Sequence, residues 1–297
     1  MLQARIGAFT VTRVEEMLTP GFDPAFLFPD FDPAVYDEDE QLAGDRFRDR
    51  ASGKLMSSMQ SWLVRDGRNV IVIDTGCGNG KTREFPAFRR FHQLDLPYLD
   101  RLAAAGVRPD EVTHVINTHL HVDHVGWNTR AVEGRWVPTF PKARYVFGAE
   151  ELADVQRPTL ATEAPETVPV IEDSVTPVVE AGLVDTVRDG DEIIPGLSFE
   201  AIPGHTPGQL AVKLISNGES ALFTGDVFHQ PMQIVRPQWN SRFCVDQLTA
   251  RKTRARVLDS VADRGTVIFP SHFGAPHAGT IRRHGSDFRF VPLQAAG

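Results

Sequence analysis

The feature that most constrains this chain is a run of metal-binding side chains in residues 118–126, which reads Thr-His-Leu-His-Val-Asp-His-Val-Gly. Imidazole is a good ligand for zinc and similar ions, and a carboxylate adds a harder oxygen ligand. On an extended segment His119, His121 and Asp123 project to one side, and His124 follows as the chain turns. Four such groups would be costly to bury without a cation. The run therefore predicts a metal site that can serve two ions.

The segment before this run places the cluster in the fold. Residues 112–117, Val-Thr-His-Val-Ile-Asn, are typical of a short buried strand. Ligand-binding and catalytic groups commonly gather at the carboxyl ends of strands in layered α/β folds. The sequence thus predicts a layered α/β protein with the cluster at the end of a strand.

Three later motifs each place another ligand-type side chain after a predicted strand. His205 lies in Gly-His-Thr-Pro-Gly, Asp226 closes Phe-Thr-Gly-Asp, and His272 lies in Pro-Ser-His-Phe-Gly. The flanking glycines and prolines allow the sharp turns that bring a side chain back over a sheet edge. Asp74 opens Asp-Thr-Gly after another apolar run. These motifs predict that distant segments complete the metal site.

In this order, the motifs H-x-H-x-D-H, G-H-T-P-G, T-G-D and S-H resemble those of the metallo-β-lactamase superfamily, and the D-T-G at Asp74 is similar to the structural D-T-G of that fold. The resemblance covers roughly residues 55–275, and five ordered motifs make it specific. It implies one α/β domain over residues 1–297, built as a four-layer αββα sandwich. The ligands that it implies are His119, His121 and His205 for one ion, Asp123, His124 and His272 for a second ion, and Asp226 as the bridge.

The resemblance also implies the chemistry. Two divalent ions would lie about 3.5–4 Å apart with a hydroxide between them, and this hydroxide would attack a substrate carbonyl. Asp123 would then carry the proton toward the leaving group. Zinc is the first expectation for a histidine-rich set without thiolates, although iron, manganese or cobalt suit the same ligands.

Within the superfamily, the chain is most similar to the lactonase and organophosphate-hydrolase branch. This implies a small ester-like substrate, with a lactone first and an aryl ester or phosphotriester second. Lactonases of the branch often place a tyrosine three residues after the bridging aspartate, where this chain has His229. His229 is therefore either a second catalytic group or a structural histidine. An iron-dependent redox enzyme of the same fold is the alternative from another class.

Composition limits the partners. A net charge of −8 and a pI near 5.7 disfavour a nucleic-acid-binding surface. No apolar stretch reaches the ~18 residues that span a membrane, and the first residues do not resemble a signal peptide. We therefore expect a cytoplasmic enzyme that acts on a small molecule, with no nucleic-acid or membrane partner. Cys77 and Cys244 are expected to be buried thiols rather than a disulfide.

Residues 19–54 are rich in proline, phenylalanine and aspartate. They form either a surface excursion anchored by aromatic residues, or a lid or dimer-contact arm that holds Phe22, Phe26 or Phe28 over a pocket. A homodimer is possible on the second interpretation. His277 either reaches the site or lies on the surface.

Local patterns predict the remaining elements: a strand over 5–17, a hairpin over 55–74 with its turn at 65–68, a helix over 95–106, a helix beginning near Ala149, an irregular cover over 157–180, short strands over 181–202 and an amphipathic helix over 246–264. In the last helix, the basic residues are expected to be solvated and the inward face to comprise Leu248, Val257, Leu258 and Val261.

Overall fold

The computed structural model describes residues 2–293, in which two β-sheets stack face to face between outer helical layers. This confirms the predicted four-layer αββα sandwich. The predicted single unit over 1–297 includes Met1 and residues 294–297, which lie outside the described residues. No helix within residues 2–293 combines the length and apolarity needed to cross a membrane.

The elements of the first part of the chain are β1 (Gln3–Ile6), β2 (Phe9–Pro20), α1 (Pro24–Leu27), α2 (Val35–Glu38), α3 (Glu40–Ala43), β3 (Met56–Arg65), β4 (Val70–Ile73), α4 (Tyr98–Ala104), β5 (His114–Ile116), β6 (Thr129–Val132), β7 (Arg135–Pro138) and β8 (Arg144–Gly148). Those of the second part are α5 (Ala149–Val155), α6 (Leu160–Glu163), α7 (Val168–Ser174), α8 (Thr176–Glu180), β9 (Val184–Val187), β10 (Glu192–Ile194), β11 (Leu197–Ala201), β12 (Leu210–Ser216), β13 (Glu219–Gly225), α9 (Met232–Val235), α10 (Gln247–Val261), β14 (Val267–Pro270), β15 (Gly279–His284) and β16 (Asp287–Pro292). Short 3-10 turns cover Pro86–Phe91, Pro109–Glu111 and Gly126–Asn128.

The sheet topology brings the motif-bearing loops together. Within the described residues, one sheet has the strand order β1-β2-β3-β4-β5-β8-β9 and the other runs from β10 to β16 in sequence order. Strands β4, β5 and β8 are parallel, and so are β13 and β14. Carboxyl ends of parallel neighbours meet at one sheet edge, so the loops after β4 and β5 lie side by side, as do those after β13 and β14.

Alternation along the strands divides the apolar side chains between two sides of each sheet. In β4, Ile71 and Ile73 face the second sheet, whereas Val72 packs beneath the outer helices. Trp62 of β3 fills the space between the sheets and meets Phe269 of β14 at a ring-centroid distance of 4.8 Å. Strands β4 and β14 are buried on both faces, which explains their continuous apolar sequences, Val-Ile-Val-Ile and Val-Ile-Phe-Pro.

Residues 19–54 are anchored to the body of the protein. Their helices share a buried cluster with the segment after β13, composed of Leu27, Phe28, Val35, Leu42, Leu55, Met232, Val235 and Trp239. Phe28 is fully buried against Trp239 and does not cover a pocket, which corrects that part of the lid interpretation. Phe26 is 38% exposed and stacks on Phe22.

Two predictions of local structure were wrong, and two of the others were confirmed. The strand expected over 5–17 is the β1–β2 hairpin, whose turn uses Gly7 at φ +57°. Residues 157–180, expected to be irregular, contain the helices α6, α7 and α8. The prolines there suggested breaks in a helix, but they lie in the first turns of α7 and α8, where proline is compatible with a helix. The β3–β4 hairpin and the start of α5 at Ala149 were predicted correctly.

Helix α10 was predicted in place, but its faces were partly wrong. Leu248 is 62% exposed because it lies nine residues from Val257, half a turn round the helix from the buried face. Arg254, expected in solvent, is buried and donates hydrogen bonds to the carbonyl oxygens of Val227 and Pro237. A helical pattern identifies the buried face only where apolar residues recur three or four positions apart.

Candidate metal centre

The predicted ligands lie on loops at one edge of the sandwich. The His119–His124 run begins three residues after β5, Asp226 follows β13 directly, and His272 comes two residues after β14. His205 lies in the turn that joins β11 to β12. The structure brings all seven predicted ligands into one cluster.

Asp226 lies between two groups of histidines, and each of its carboxylate oxygens faces a different group. Its Oδ2 is 3.3 Å from Nε2 of His205 and 3.9 Å from Nε2 of His119. Its Oδ1 is 3.3 Å from Nε2 of His124 and 3.0 Å from Nε2 of His272. This is the arrangement expected of a carboxylate that bridges two ions.

Each group is completed by the residue that the motifs assign to it. His121 turns Nδ1 inward, 2.9 Å from Nε2 of His205. Asp123 places its oxygens 3.8 Å from Nε2 of His124 and 3.7 Å from Nε2 of His272. The facing atoms of His119, His121 and His205 lie within 4.8 Å of one another, as do those of Asp123, His124 and His272.

The outer nitrogens of three histidines are held by the protein, which aims their inner nitrogens at the centre. Nδ1 of His124 donates to the Asp74 carboxylate at 2.9 Å, so the D-T-G aspartate orients a predicted ligand. Nδ1 of His272 donates to the Ser58 carbonyl oxygen at 3.0 Å, and Nδ1 of His119 lies 3.2 Å from Thr118 Oγ1. Such outer partners select the tautomer and orient a metal-binding imidazole.

Electrostatics favour a cation here. Burial lowers the pKa of His119 and His205 well below the ordinary value and that of His121 to about 4, so all three are neutral imidazoles ready to bind metal. For His124 and His272, burial opposes the charged form, but the Asp226 carboxylate raises the pKa above the ordinary value. A metal ion would take the place of the proton that these two histidines attract.

Three polar atoms at the centre have no hydrogen-bond partner among the described residues. Nε2 of His119, Nε2 of His124 and Oδ1 of Asp226 are buried without a hydrogen-bond partner among residues 2–293. Buried polar atoms are normally paired, and each unpaired one costs about 1–3 kcal/mol. Because the ligand atoms of His119, His124 and Asp226 lie within 4.8 Å of one another, the residues present fit bound metal.

His229 lies beside the centre, as its position after Asp226 predicted. Its Nε2 is 3.2 Å from Oδ2 of Asp226, and its ring packs against His205 with a centroid distance of 5.0 Å. Its Nδ1 is buried without a hydrogen-bond partner in the described part of the chain. In His119, His124 and His272 a protein group lies within hydrogen-bond distance of Nδ1 and orients the ring, whereas His229 has no such partner at Nδ1 among the described residues.

A cavity of about 350 Å³ opens onto the cluster. Metal-centre residues in its wall are His121, Asp123, His205, Asp226, His229 and His272, and the apolar residues are Phe22, Leu27, Leu55, Met59, Ala87, Phe88, Phe91, Val122, Ala164, Phe243 and Val245. The remaining polar lining includes Ser57, Glu166, Gln230 and Arg242. The cavity is thus a largely apolar chamber with polar chemistry at one wall, as in many small-molecule sites.

The structure resolves several open sequence predictions. Phe22 lines the cavity. Both alternatives for His277 were wrong: it lies outside the cluster and is 6% exposed, with Nδ1 donating to the Phe273 carbonyl oxygen. Cys77 and Cys244 are buried free thiols, as predicted. Sequence reasoning missed that Cys244 lines the cavity, with Sγ 3.7 Å from Nδ1 of His205. No local signal marks this contact, because 39 residues separate the two positions.

Known proteins match this chain over most of its length in structure and over part of it in sequence. It is 27% identical over 175 residues to the N-acyl homoserine lactonase AiiB of Agrobacterium fabrum, which covers 52% of this chain and 56% of that protein. The chain spans about half the length of the curated relatives that it matches. The hydrolase AbOPH, of the beta lactamase superfamily, has a TM-score of 0.83 at 25% identity and covers 100% of this chain and 98% of its own.

The solved structure of AidC, a dizinc quorum-quenching lactonase in complex with a product, has the same fold. Its TM-score is 0.76 at 20% identity, with 99% of this chain and 98% of that chain covered. The model of the metallo-beta-lactamase superfamily matches residues 59–272, which include all seven predicted ligands. Because this match extends over well more than half of the chain, the protein belongs to the metallo-beta-lactamase superfamily.

Proposed function

We propose that this protein is a dinuclear metal-dependent hydrolase of a small ester-like substrate, with a lactone as the first candidate. The observation that carries the proposal is the position of Asp226, whose two oxygens face separate histidine groups at the wall of an apolar cavity. A single carboxylate shared in this way suits two ions better than one.

The proposed metals are two divalent ions, with zinc first. His119, His121 and His205 would hold one ion, the first metal group; Asp123, His124 and His272 would hold the other, the second metal group; and Asp226 would contact both. When bound, the ions would supply Lewis-acid polarisation of the substrate oxygen and a water of lowered pKa.

Two other roles fall to side chains in the cavity wall. Asp123 is half-buried and lines the cavity, so its carboxylate can accept a proton from the attacking water and return it to the leaving oxygen. His229 can donate a hydrogen bond from Nε2, either to Asp226 or to a substrate oxygen bound beside it. Ring opening of a lactone breaks the acyl carbon–oxygen bond, and the proton from water ends on the released hydroxyl.

The lining of the cavity supports a neutral substrate with an apolar part. Most of its side chains are aliphatic or aromatic, and its one arginine is already engaged: Arg242 donates to the Phe26 carbonyl oxygen and lies over the Phe26 ring. The likeness in sequence to the lactonase AiiB favours a lactone.

Aryl esters and phosphotriesters are the second candidate class. Four phenylalanines, Phe22, Phe88, Phe91 and Phe243, line the cavity and suit a planar aromatic leaving group. His229, in the position where related lactonases often have tyrosine, also departs from the lactonase pattern. A cytoplasmic location and a homodimer stay predictions from the sequence.

The test is to measure initial hydrolysis rates of the zinc-loaded protein on lactones, aryl esters and phosphotriesters, together with metal analysis. His119→Ala is the matched control, because it removes one predicted ligand and should abolish turnover. Turnover of lactones above the other classes supports the first proposal, and preference for an aryl ester or phosphotriester supports the second. Two bound irons without hydrolysis would instead favour the redox alternative and overturn both.

A further inference from the structure

We infer that Glu151 is a positioning residue that sets the geometry of the first metal group, His119, His121 and His205. This inference rests on the metal centre of the proposed function. Glu151 lies in the first turn of α5, is 2% exposed and is not among the predicted ligands. Its carboxylate lies between the two loops that carry this group.

One carboxylate bonds both loops. Oε1 accepts a hydrogen bond from the backbone N–H of Leu120 at 3.0 Å, and Leu120 stands between His119 and His121. Oε2 accepts from Thr206 Oγ1 at 2.7 Å and from the backbone N–H of Gly208 at 3.1 Å, close after His205. Glu151 therefore joins segments that are more than 80 residues apart in sequence and adjacent at the metal centre.

A purely structural role explains this arrangement less well. All three donors are uncharged, so a buried carboxylate is held by hydrogen bonds alone, and burial raises its pKa although the three hydrogen bonds oppose this shift. Burying a carboxylate without a positively charged partner destabilises the fold, and an apolar side chain of similar size would destabilise it less. What an apolar side chain cannot do is hold the Leu120 and Gly208 N–H groups at one fixed separation.

The turn that carries His205 also packs closely against the start of α5, so its position depends on the Glu151 side chain. A Cβ on Gly208 would lie 2.1 Å from the backbone nitrogen of Glu151, and one on Gly148 would lie 2.7 Å from the Gly208 carbonyl oxygen. The His205 turn is thus pressed against the start of α5. The donors to Glu151 belong to Leu120, Thr206 and Gly208, which flank His119, His121 and His205. An altered Glu151 side chain would therefore act first on the relative positions of these three histidines.

Glu151→Gln is the sharpest variant because it keeps size and removes only acceptor capacity. Whichever way the amide is turned, its NH2 group faces a backbone N–H, that of Leu120 or that of Gly208. Glu16 offers a matched control. It is also buried and accepts three hydrogen bonds, from the N–H groups of Cys77 and Gly78 and from Nε1 of Trp127, none of which belongs to the His205 loop.

The experiment is a cobalt(II) titration of the metal-free proteins, followed by visible absorption and metal analysis. His205→Ala and His272→Ala provide reference spectra for loss of the first and of the second metal group. We expect Glu151→Gln to bind one ion as tightly as the wild type and the other about 10–100-fold more weakly, with the spectrum of His205→Ala. Glu16→Gln should retain wild-type affinity at the first group.

Two outcomes would overturn the inference: wild-type affinity for both ions in Glu151→Gln, or equal weakening of the same ion in Glu16→Gln. If Glu151→Gln does not fold, Thr206→Val removes one of the three donors and should weaken the same ion to a smaller extent; an unchanged titration of that variant equally contradicts the inference. A wild-type protein that binds no cobalt would instead refute the proposed metal centre itself.

Discussion

At the scale of single residues, Asp226 is the side chain that faces both groups of ligands in the proposed centre. Five histidine nitrogens lie within 4 Å of its two oxygens, and the carboxylate is almost fully buried. Nearby His272 and His124 keep the pKa of this carboxyl well below its usual value in spite of burial. The group therefore stays ionised and available to the proposed ions.

We predict that Asp226→Ala loses metal and activity together. Removing the shared carboxylate takes a ligand from both ions, so bound metal should fall below two per chain. Turnover should fall by at least about 100-fold. Loss of a residue that only hydrogen-bonds a metal ligand costs up to about 100-fold, and loss of a ligand itself should cost more. Metal analysis and initial rates measure both effects, with exposed Asp185→Asn as the control. Full occupancy by two ions in the Asp226 variant would refute the bridging role.

His277 provides a prediction on pH that is independent of the metal ligands. Burial, with Arg13 nearby, lowers its pKa to about 4. Because the unfolded pKa is about 6.5, the unfolded chain binds more protons between pH 4 and 6.5, so this stability is fully present above pH 6.5 and is lost as pH falls toward 4.

The expected contribution over this range is about 3 kcal/mol. Urea unfolding of the wild type and of His277→Gln at several pH values between 4 and 6.5 gives the free energy of unfolding of each. The wild type should lose its advantage over the variant as the pH falls. The exposed His284→Gln is the matched control and should show no such change. A difference independent of pH would contradict the assignment.

At the scale of elements, the segment 19–54 shows how one sequence feature serves two purposes. Phe28 anchors the segment in the buried cluster with Trp239, and Phe22 supplies part of the cavity wall. The segment thus connects the stability of the fold to the shape of the site.

We predict that Phe28→Ala lowers the free energy of unfolding by about 3–5 kcal/mol, because it leaves a cavity in a packed cluster. Phe26→Ala, two residues away in α1 and 38% exposed, should cost about 1 kcal/mol through its stacking on Phe22. Denaturant unfolding of the two variants provides the comparison. Equal losses would mean that the segment is not anchored as described.

At the scale of the whole molecule, metal binding and folding should be linked, because the two groups of ligands come from loops of both sheets. We predict that removal of the ions lowers the melting temperature. Each site at a free metal concentration of 100 times its Kd stabilises the fold by about 2.7 kcal/mol, and each kcal/mol corresponds to about 2–4 °C.

Thermal melts before and after dialysis against a chelator test this prediction. Added zinc should restore the melting temperature, whereas added magnesium should not, since it prefers oxygen ligands over imidazole. An unchanged melting temperature after complete metal removal would contradict the link.

The candidate ligands could be named from the sequence because their motifs are short and local, and because the order of these motifs resembles that of the metallo-β-lactamase superfamily. The structure brings His119, His205, Asp226 and His272 together as the motifs implied. Faces of helices were less predictable: Leu248 and Arg254 of α10 were assigned to the wrong sides, since burial there depends on which neighbour covers the helix. The helices over 157–180 were missed because prolines at helix starts resemble loop signals.

The sequence by itself thus determined a layered α/β protein with a metal-binding run at the end of a strand, because short apolar and ligand patterns are local. Its ordered motifs implied the four-layer sandwich and the candidate ligands through their resemblance to the metallo-β-lactamase superfamily. Only the tertiary structure decided which oxygen of Asp226 faces which histidines, that Phe22 rather than Phe28 lines the cavity, and that Glu151 joins two ligand loops. These facts depend on contacts between residues far apart along the chain, and such contacts leave no local pattern to read.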